Sequence, residues 1–219
     1  MNEFKSGNIT LMNMDCMEYM KSLPDNAFEL AIVDPPYGID AANMTMGRGS
    51  ALDKGEIAKK NWDKETPKKE YFSELMRVSA EQIIWGGNYF LDYLGATRCF
   101  LMWDKLDYNS DFASHELAWT SFKKNTKCFQ RARSAGGDSQ GKIHPTQKPV
   151  KLYEWLLANY AKEGDRILDT HLGSGSSAIA AHYGGFEFVG TELDRDYFEA
   201  SVKRFQEQTK QMDIFGGAA

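Results

Sequence analysis

The segment Asp34-Pro35-Pro36-Tyr37 brings a carboxylate, a stiff backbone carbonyl and an aromatic ring together. It follows the apolar run 30–33, and its prolines end that run because proline donates no hydrogen bond to a sheet. Two acceptors beside a stacking surface suit a planar ring with an exocyclic amino group, as in adenine or cytosine. An ordinary surface turn uses the same residue types. On its own, the segment leaves both interpretations open.

A glycine-rich turn forms a second candidate site. It follows the short strand-like stretch 166–169, contains Gly173 and Gly175, and precedes a helix-like stretch that stops at Gly184-Gly185. Glycines in such a turn let backbone amides approach a ligand closely. Glu192 ends the next strand-like stretch, near the spacing of about 20 residues that places a carboxylate on ribose hydroxyls. This order of elements predicts an adenosyl cofactor.

The glycine turn also indicates which adenosyl cofactor binds. It lacks the third glycine of the dinucleotide-binding pattern, and the chain lacks the Gly-Lys-Ser/Thr of nucleoside triphosphate loops. S-adenosylmethionine carries ribose and adenine without phosphates, and its amino-acid end can meet backbone amides. We therefore predict S-adenosylmethionine as the cofactor and S-adenosylhomocysteine as the product.

A third motif, Ile143-His144-Pro145-Thr146-Gln147-Lys148-Pro149, lies between these two sites. With it, the chain resembles the amino-group DNA methyltransferases that act on adenine N6 or cytosine N4. More narrowly, it resembles the permuted class, in which Asp-Pro-Pro-Tyr precedes the cofactor glycines. The resemblance runs from Ile9 to about Phe205, and all three motifs stand in the family's order.

The resemblance implies a role for each motif residue. Asp34 and the Pro35 carbonyl would accept hydrogen bonds from the target amino group, Pro36 would stiffen the turn, and Tyr37 would stack on the flipped base. The implied cofactor-binding residues are Asp15, Cys16, Asp34, Thr146, Lys148, Asp169, His171, Leu172, Gly173, Ser174, Gly175, Glu192 and Leu193. His171 departs from the pattern, because the family usually carries phenylalanine there.

Composition fits one enzyme domain spanning residues 1–219. The hydrophobic fraction of 42% and the charged fraction of 26% are ordinary for a globular protein. No apolar stretch approaches the roughly 20 residues of a membrane span. Three scattered cysteines without Cys-x-x-Cys spacing, and histidines without ligand spacing, predict neither a disulfide framework nor a metal site. A reducing, cytoplasmic location is the default expectation.

The net charge of −5 is unusual for a DNA-binding protein, but the charge is unevenly distributed. Six basic residues and one acidic residue lie within 121–142, and segment 41–69 is also basic. An isolated basic run is more often a solvated face, but beside a methylation motif it favours DNA binding. We predict a target-recognition insert at 105–142 and a mobile loop at 41–69. The predicted DNA-binding residues are Arg48, Lys123, Lys124, Lys127, Arg131 and Arg133.

Alternating strand-like and helix-like stretches predict an α/β fold, with a mostly parallel, Rossmann-like sheet and helices on both faces. The resemblance adds an antiparallel edge hairpin. It also places the strands at 30–33 and 166–169 side by side, which would join donor and acceptor sites at the switch point of the sheet. These elements would bring the three motifs together.

Several functional alternatives remain at this stage. Adenine N6 is preferred to cytosine N4, because the family usually places serine first in the motif of cytosine enzymes. A non-catalytic DNA-binding module would keep the same fold. Protein-glutamine and some RNA methyltransferases carry Asn-Pro-Pro-Tyr after the cofactor glycines, which this chain does not. Double-stranded DNA is the expected partner, and a restriction-modification role is expected.

Two further partners are suggested. A homodimer is plausible from the family. Gln211-Met212-Asp213-Ile214-Phe215 resembles the peptide by which bacterial DNA enzymes dock on the replication sliding clamp. A frayed terminus with a chance apolar pair is the plainer interpretation of that segment.

Overall fold

A computed structural model describes residues 2–39, 65–109, 113–132, 143–144 and 146–213, with only the backbone of 211–213. Arg48, Arg133 and most of the predicted loop 41–69 lie outside these residues. The same holds for the end of the clamp-like peptide at 214–215.

Strands and helices alternate over much of the described chain, as predicted, but not within 3–13 or 101–130, where strands follow one another. The strands are β1 (Glu3–Ser6), β2 (Ile9–Asn13), β3 (Phe28–Val33), β4 (Ser79–Trp85), β5 (Leu101–Asp104), β6 (His115–Thr120), β7 (Lys127–Gln130), β8 (Arg166–Asp169) and β9 (Glu187–Glu192). The helices are α1 (Cys16–Lys21), α2 (Lys69–Val78), α3 (Leu91–Leu94), α4 (Val150–Tyr160), α5 (Ser176–Gly184) and α6 (Arg195–Asp213). A 3-10 turn, Gly87–Tyr89, joins β4 to α3.

The described strands form one sheet in the order β1-β2-β9-β8-β3-β4-β6-β5-β7. Three neighbouring pairs are antiparallel (β1 with β2, β4 with β6, and β5 with β6), and the other pairs are parallel. β1 and β2 form an antiparallel hairpin at one side of the sheet, and β3 and β8 are neighbours. The predicted α/β fold class is confirmed.

Helices cover both faces of the sheet. Leu30 and Ile32 of β3 belong to a core cluster with residues of α4, α5 and α6. Ala31 and Val33 belong to a second cluster with residues of α1 and α2. The two sets alternate along the strand because successive side chains of a β-strand point to opposite faces. β3 is therefore buried on both sides, which explains its uninterrupted apolar sequence.

Two strands of the sheet lie within the predicted basic insert at 105–142. They are β6 and β7, and β6 is inserted between β4 and β5. Ala118 and Trp119 of β6 are buried in the two core clusters. The sequence did not reveal β6, because it begins with His115 and Glu116 and shows no apolar alternation. Part of the predicted insert therefore belongs to the sheet itself.

All strands that run parallel to β3 end on the same side of the sheet, which we call its carboxyl end. The antiparallel β6 begins there, since His115 pairs with Asp104. Asp34 directly follows β3 at this end, and Asp169 and Glu192 are the last residues of their strands. We call the opposite side the amino end. Ligands of open α/β sheets bind beyond the carboxyl ends of the strands.

Candidate active site

The two candidate sites meet at the carboxyl end of the sheet. β3 and β8 pair in parallel, with Leu30 opposite Ile167, so Asp34 lies close to the end of β8. A cavity of about 590 Å³ opens there. The predicted residues in its lining are Asp15, Cys16, Asp34, Pro36, Thr146, Lys148, His171, Leu172, Gly173, Ser174, Glu192 and Leu193. Residues from all three motifs thus share one cavity.

Of the predicted catalytic and cofactor-binding residues, Pro35, Tyr37, Asp169 and Gly175 lie outside this lining. Asp169 is buried beneath the glycine turn, where its carboxylate accepts hydrogen bonds from the His171 amide at 3.0 Å and the Ser177 hydroxyl at 2.6 Å. Burial raises the pKa of Asp169 to about 7, against these two hydrogen bonds. Asp169 therefore shapes the turn from below.

Two carboxylates flank the glycine turn. Asp15 caps α1, and its Oδ1 accepts a hydrogen bond from the Met17 amide at 2.6 Å. Glu192 accepts hydrogen bonds from the amides of Gly173 and Asp194, each at 2.9 Å. Burial raises the pKa of Glu192, and these amides only partly offset that effect. Both carboxylates keep lone pairs that could accept hydrogen bonds from hydroxyl or amino groups of an adenosyl ligand.

His171 forms an uncharged aromatic wall of the cavity. Burial lowers the pKa of His171 to about 4, so its imidazole is neutral at pH 7. Its Nδ1 lies 2.9 Å from the Thr170 hydroxyl, which lies 2.6 Å from the Tyr71 hydroxyl. The imidazole ring packs edge-on against Tyr71 at a centroid distance of 5.4 Å. A neutral ring fixed in this way can replace the phenylalanine that the family usually carries here.

The Asp34 carboxylate is held from two sides. The Tyr37 hydroxyl donates to Oδ1, and the Lys148 ammonium donates to Oδ2, both at 2.5 Å. The Tyr37 ring lies over Gly86, where an added Cβ would sit 2.1 Å from Cε1, and it stacks on Tyr89 at a centroid distance of 5.2 Å. Burial raises the pKa of Asp34, and the Lys148 ammonium opposes this effect. The carboxylate and the aromatic ring therefore have a fixed mutual orientation.

A row of alternating charges continues inward from Asp34. The Lys148 ammonium lies 3.0 Å from Glu116 Oε2, and Glu116 Oε1 lies 2.6 Å from the Lys105 ammonium. Burial alone would raise the pKa of Glu116, but the two ammonium groups outweigh it and lower that pKa. Neither Lys105 nor Glu116 was predicted from the sequence. Lys105 directly follows β5 at the carboxyl end, which was a usable signal, whereas Glu116 lies in the unpredicted β6.

The structure does not bring three of the predicted DNA-binding residues to the cavity. Lys123, Lys124 and Lys127 lie at the amino end of the sheet, between the end of β6 and the start of β7. The ammonium groups of Lys124 and Lys127 bond to Asn159, near the end of α4, at 3.1 and 2.7 Å. Arg131 follows β7 at the carboxyl end. Of the described basic residues predicted to bind DNA, only Arg131 is on the side of the cavity.

Metal-binding clusters and membrane-spanning helices are both absent from the part of the chain that the structure describes. No group of three or more His, Cys, Asp or Glu residues there could hold a metal ion. No described helix is long and apolar enough to cross a bilayer. All three cysteines are free thiols, and burial raises the pKa of Cys16 in the cavity to about 12.

A known protein family accounts for this arrangement. The model of the DNA methylase family (N6_N4_Mtase) matches residues 84–203. The chain belongs to this family. The Type II methyltransferase M2.MboI of Moraxella bovis is 21% identical, over 92% of this chain and 89% of that protein. The Type II methyltransferase M.HinfI of Haemophilus influenzae is 25% identical, over 90% of this chain and 68% of that protein.

Solved structures of DNA methylases share the fold. The M1.HpyAVI–SAM complex superposes with a TM-score of 0.60 at 19% identity, over 90% of this chain and 99% of the other. The PvuII DNA methyltransferase, which is cytosine-N4-specific, gives a TM-score of 0.62 at 15% identity, over 92% of this chain and 87% of the other. The sequence-based assignment to the amino-group DNA methyltransferases is confirmed. At these identities, the structural likeness concerns the fold alone.

Proposed function

We propose that this DNA methylase transfers a methyl group from S-adenosylmethionine to the N6 amino group of an adenine flipped out of double-stranded DNA. One observation carries the proposal. Asp34 of the acceptor motif lines the same cavity as Asp15, Gly173 and Glu192 of the cofactor side. A donor and an acceptor bound there would be neighbours, as direct transfer requires.

The cofactor side of the cavity suits S-adenosylmethionine. Glu192 would accept hydrogen bonds from the ribose hydroxyls, and Asp15 would accept one from the adenine amino group. The Gly173 and Ser174 segment and Thr146 would face the methionine end. The bound cofactor would supply an activated sulfonium methyl group, so the protein needs no covalent intermediate.

Asp34 would act on the target amino group. The lone pair of an exocyclic amine is delocalised into the ring, which makes the nitrogen a poor nucleophile. Hydrogen bonds from its N–H groups to the Asp34 carboxylate and the Pro35 carbonyl would favour a tetrahedral nitrogen and stabilise the developing positive charge. Tyr37 and Lys148 use one lone pair on each Asp34 oxygen, and a carboxylate has about four acceptor positions. The target N–H groups can therefore be accommodated.

Tyr37 would provide the surface that a flipped base needs. A base that leaves the duplex loses its stacking partners, at a cost of a few kcal/mol. The Tyr37 ring is fixed by Gly86, Tyr89 and its hydrogen bond to Asp34, so it is already oriented before the base arrives. Adenine is preferred to cytosine because Asp34, rather than serine, opens the acceptor motif.

Product analysis tests the proposal. Purified protein is incubated with S-adenosylmethionine and DNA of mixed sequence, and the digested nucleosides are analysed by mass spectrometry. We expect N6-methyladenine. Finding N4-methylcytosine instead would refute the base assignment, and finding neither would support a non-catalytic DNA-binding module.

A pair of variants tests the role of Asp34. Asp34→Ala should abolish methyl transfer while binding S-adenosylmethionine with nearly unchanged affinity by calorimetry. Asp25→Ala is the matched control, because Asp25 is an exposed aspartate paired with Arg77. Substantial turnover by Asp34→Ala would contradict the mechanism.

Segments near the ends of the described ranges would contact the DNA. We infer that Arg131 and residues 106–109 contact the duplex from the carboxyl end of the sheet, and that loop 41–69 covers DNA and cofactor. A homodimer and sliding-clamp docking through Gln211–Phe215 remain predictions. Equal clamp binding with and without residues 209–219 would refute sliding-clamp docking. Sedimentation as a monomer in analytical ultracentrifugation would refute the homodimer.

A further inference from the structure

We propose that Lys105 and Glu116 are positioning residues that act on Asp34 through Lys148. The inference rests on the proposed function, in which Asp34 accepts the target amino group. Its basis is the continuous contact from Asp34 to Lys148, Glu116 and Lys105 at the carboxyl end of the sheet. Neither Lys105 nor Glu116 lines the cavity.

Glu116 helps to fix the Lys148 ammonium in one position. An ammonium group has three N–H donors, and Lys148 has three oxygen neighbours among the described residues: Asp34 Oδ2 at 2.5 Å, Glu116 Oε2 at 3.0 Å and the Tyr37 hydroxyl at 3.3 Å. The ammonium also lies 5.3 Å from the centre of the Trp85 ring. With its side chain 2% exposed, Lys148 has no competing water shell. Its orientation therefore depends on Glu116.

Lys105 in turn orients Glu116. The Lys105 side chain is 7% exposed, and its ammonium lies 2.6 Å from Glu116 Oε1. Lys105 directly follows β5, and Glu116 lies in the adjacent strand β6, where it pairs with Trp103 of β5. Each oxygen of Glu116 thus faces a different ammonium group, and rotating the carboxylate would weaken both contacts. The pairing of β5 with β6 therefore holds the Glu116 carboxylate beside the Lys148 ammonium.

The row is balanced in charge, since two carboxylates alternate with two ammonium groups. Removing one charge from a buried network leaves another without its partner. Loss of Glu116 would leave excess positive charge near Asp34, which favours its ionised form. Loss of Lys105 would leave excess negative charge, which favours its protonated form. The two changes should therefore act on Asp34 in opposite directions.

Other titratable groups near Asp34 also influence the pH at which it is protonated. The titratable groups that interact with it are Tyr37, Tyr71, Glu116, Lys148, Tyr153 and Asp169. The pKa values of the three tyrosines are raised by burial, so these groups stay neutral below pH 8. Burial raises the pKa of Asp169 to about 7. Its contribution is common to wild type and variants, so the shifts between them are the informative quantity.

The test measures kcat against pH for wild type, Glu116→Gln, Lys105→Met and the double variant. Protonation of Asp34 removes the negative charge that stabilises the developing positive charge on the target nitrogen, so activity falls on the acid side. We call the rising, acid side of the plot of kcat against pH the acid limb. Compared with wild type, this limb should move to lower pH in Glu116→Gln and to higher pH in Lys105→Met, each by about half a pH unit or more. The double variant restores the charge balance, so its limb should return near the wild-type position, with a lower kcat because Lys148 is less well held.

Two controls separate positioning from general charge effects. Lys105→Arg keeps the charge and should keep the wild-type limb. Arg166→Met removes one positive charge at the amino end of the sheet, where Arg166 begins β8, and should also leave the limb unmoved.

The outcomes are distinct. Acid limbs that stay at the wild-type position in both single variants, or that move in the same direction, overturn the proposal. If Lys105→Met does not fold by circular dichroism, Glu116→Gln decides alone, because its limb must move to lower pH. An inactive wild-type protein would instead refute the proposed function.

Discussion

Gly86 offers a direct test of how the Tyr37 ring is positioned. Gly86 has φ 68° and ψ 18°, in the left-handed region that costs an alanine about 1–2 kcal/mol. An alanine Cβ there would lie 2.1 Å from Cε1 of Tyr37. Since carbon atoms in contact are normally about 3.5–4.0 Å apart, the ring would have to retreat by roughly 1.4 Å or more. That retreat would disrupt the hydrogen bond from Tyr37 to Asp34.

Gly185 supplies a matched control. It has nearly the same backbone conformation, with φ 72° and ψ 17°, but an added Cβ would meet nothing within 4 Å. Gly86→Ala and Gly185→Ala therefore share the backbone strain, and only Gly86→Ala displaces Tyr37. Both variants should lose about 2–8 °C in Tm, given 1–2 kcal/mol in a chain of this size.

The two variants should differ in activity. Displacement of a catalytic group by about 1 Å can reduce the rate about 100-fold. We expect a loss of about that size in kcat for Gly86→Ala and wild-type kcat for Gly185→Ala, measured as initial rates of labelled methyl transfer at saturating cofactor and DNA. S-adenosylmethionine affinity should hold in both, because Tyr37 does not line the cavity. Equal kcat values for the two variants would refute this reasoning.

Three further predictions follow from the site and its surroundings. Glu192→Gln should weaken S-adenosylmethionine binding about 10- to 100-fold by calorimetry, since hydrogen bonds to a charged acceptor contribute about 1.5–3 kcal/mol; unchanged affinity would place the ribose elsewhere. Arg131→Ala should lower DNA affinity and reduce the slope of log K against log salt by about 1, whereas Lys127→Ala, at the amino end, should change neither. His171→Phe should reduce the loss of unfolding free energy on acidification. The pKa of His171 is about 4 in the folded protein and 6.5 in the unfolded chain, so the unfolded chain takes up the proton first. His171 therefore destabilises the fold as the pH falls from 6.5 to 4. Urea titrations at pH 7 and pH 4.5 would measure this, and parallel losses in wild type and variant would contradict it.

The sequence predicted the central part of the fold well. β3, β8 and β9 are short strands with apolar centres; Asp34 directly follows β3, and Asp169 and Glu192 end the other two, so the position of their ends is visible in the residue pattern. Parallel strands must end on one side of a sheet, which is why the motifs could be expected to meet. The cavity that joins Asp34 to Glu192 agrees with that expectation.

The sequence was a poor guide to the region between β5 and α4. β6 starts with two polar residues and crosses the sheet antiparallel to its neighbours, so its membership depends on partners distant in sequence. The basic residues after it were assigned by charge alone. Charge does not indicate which end of the sheet a turn occupies, and Lys123, Lys124 and Lys127 lie at the amino end. Glu116 was not predicted because a residue of an unrecognised strand cannot be placed beside Lys148.

The position of β3 in the sheet has a consequence for heat inactivation. β3 has four strands on each side in the described sheet, and its backbone pairs with both β8 and β4. A strand so enclosed opens only when the domain unfolds as a whole, unlike a peripheral element that can fray by itself. β3, which leads directly into Asp34, should therefore stay folded until global melting. The amides of β3 should be among the slowest in the protein to exchange with deuterium.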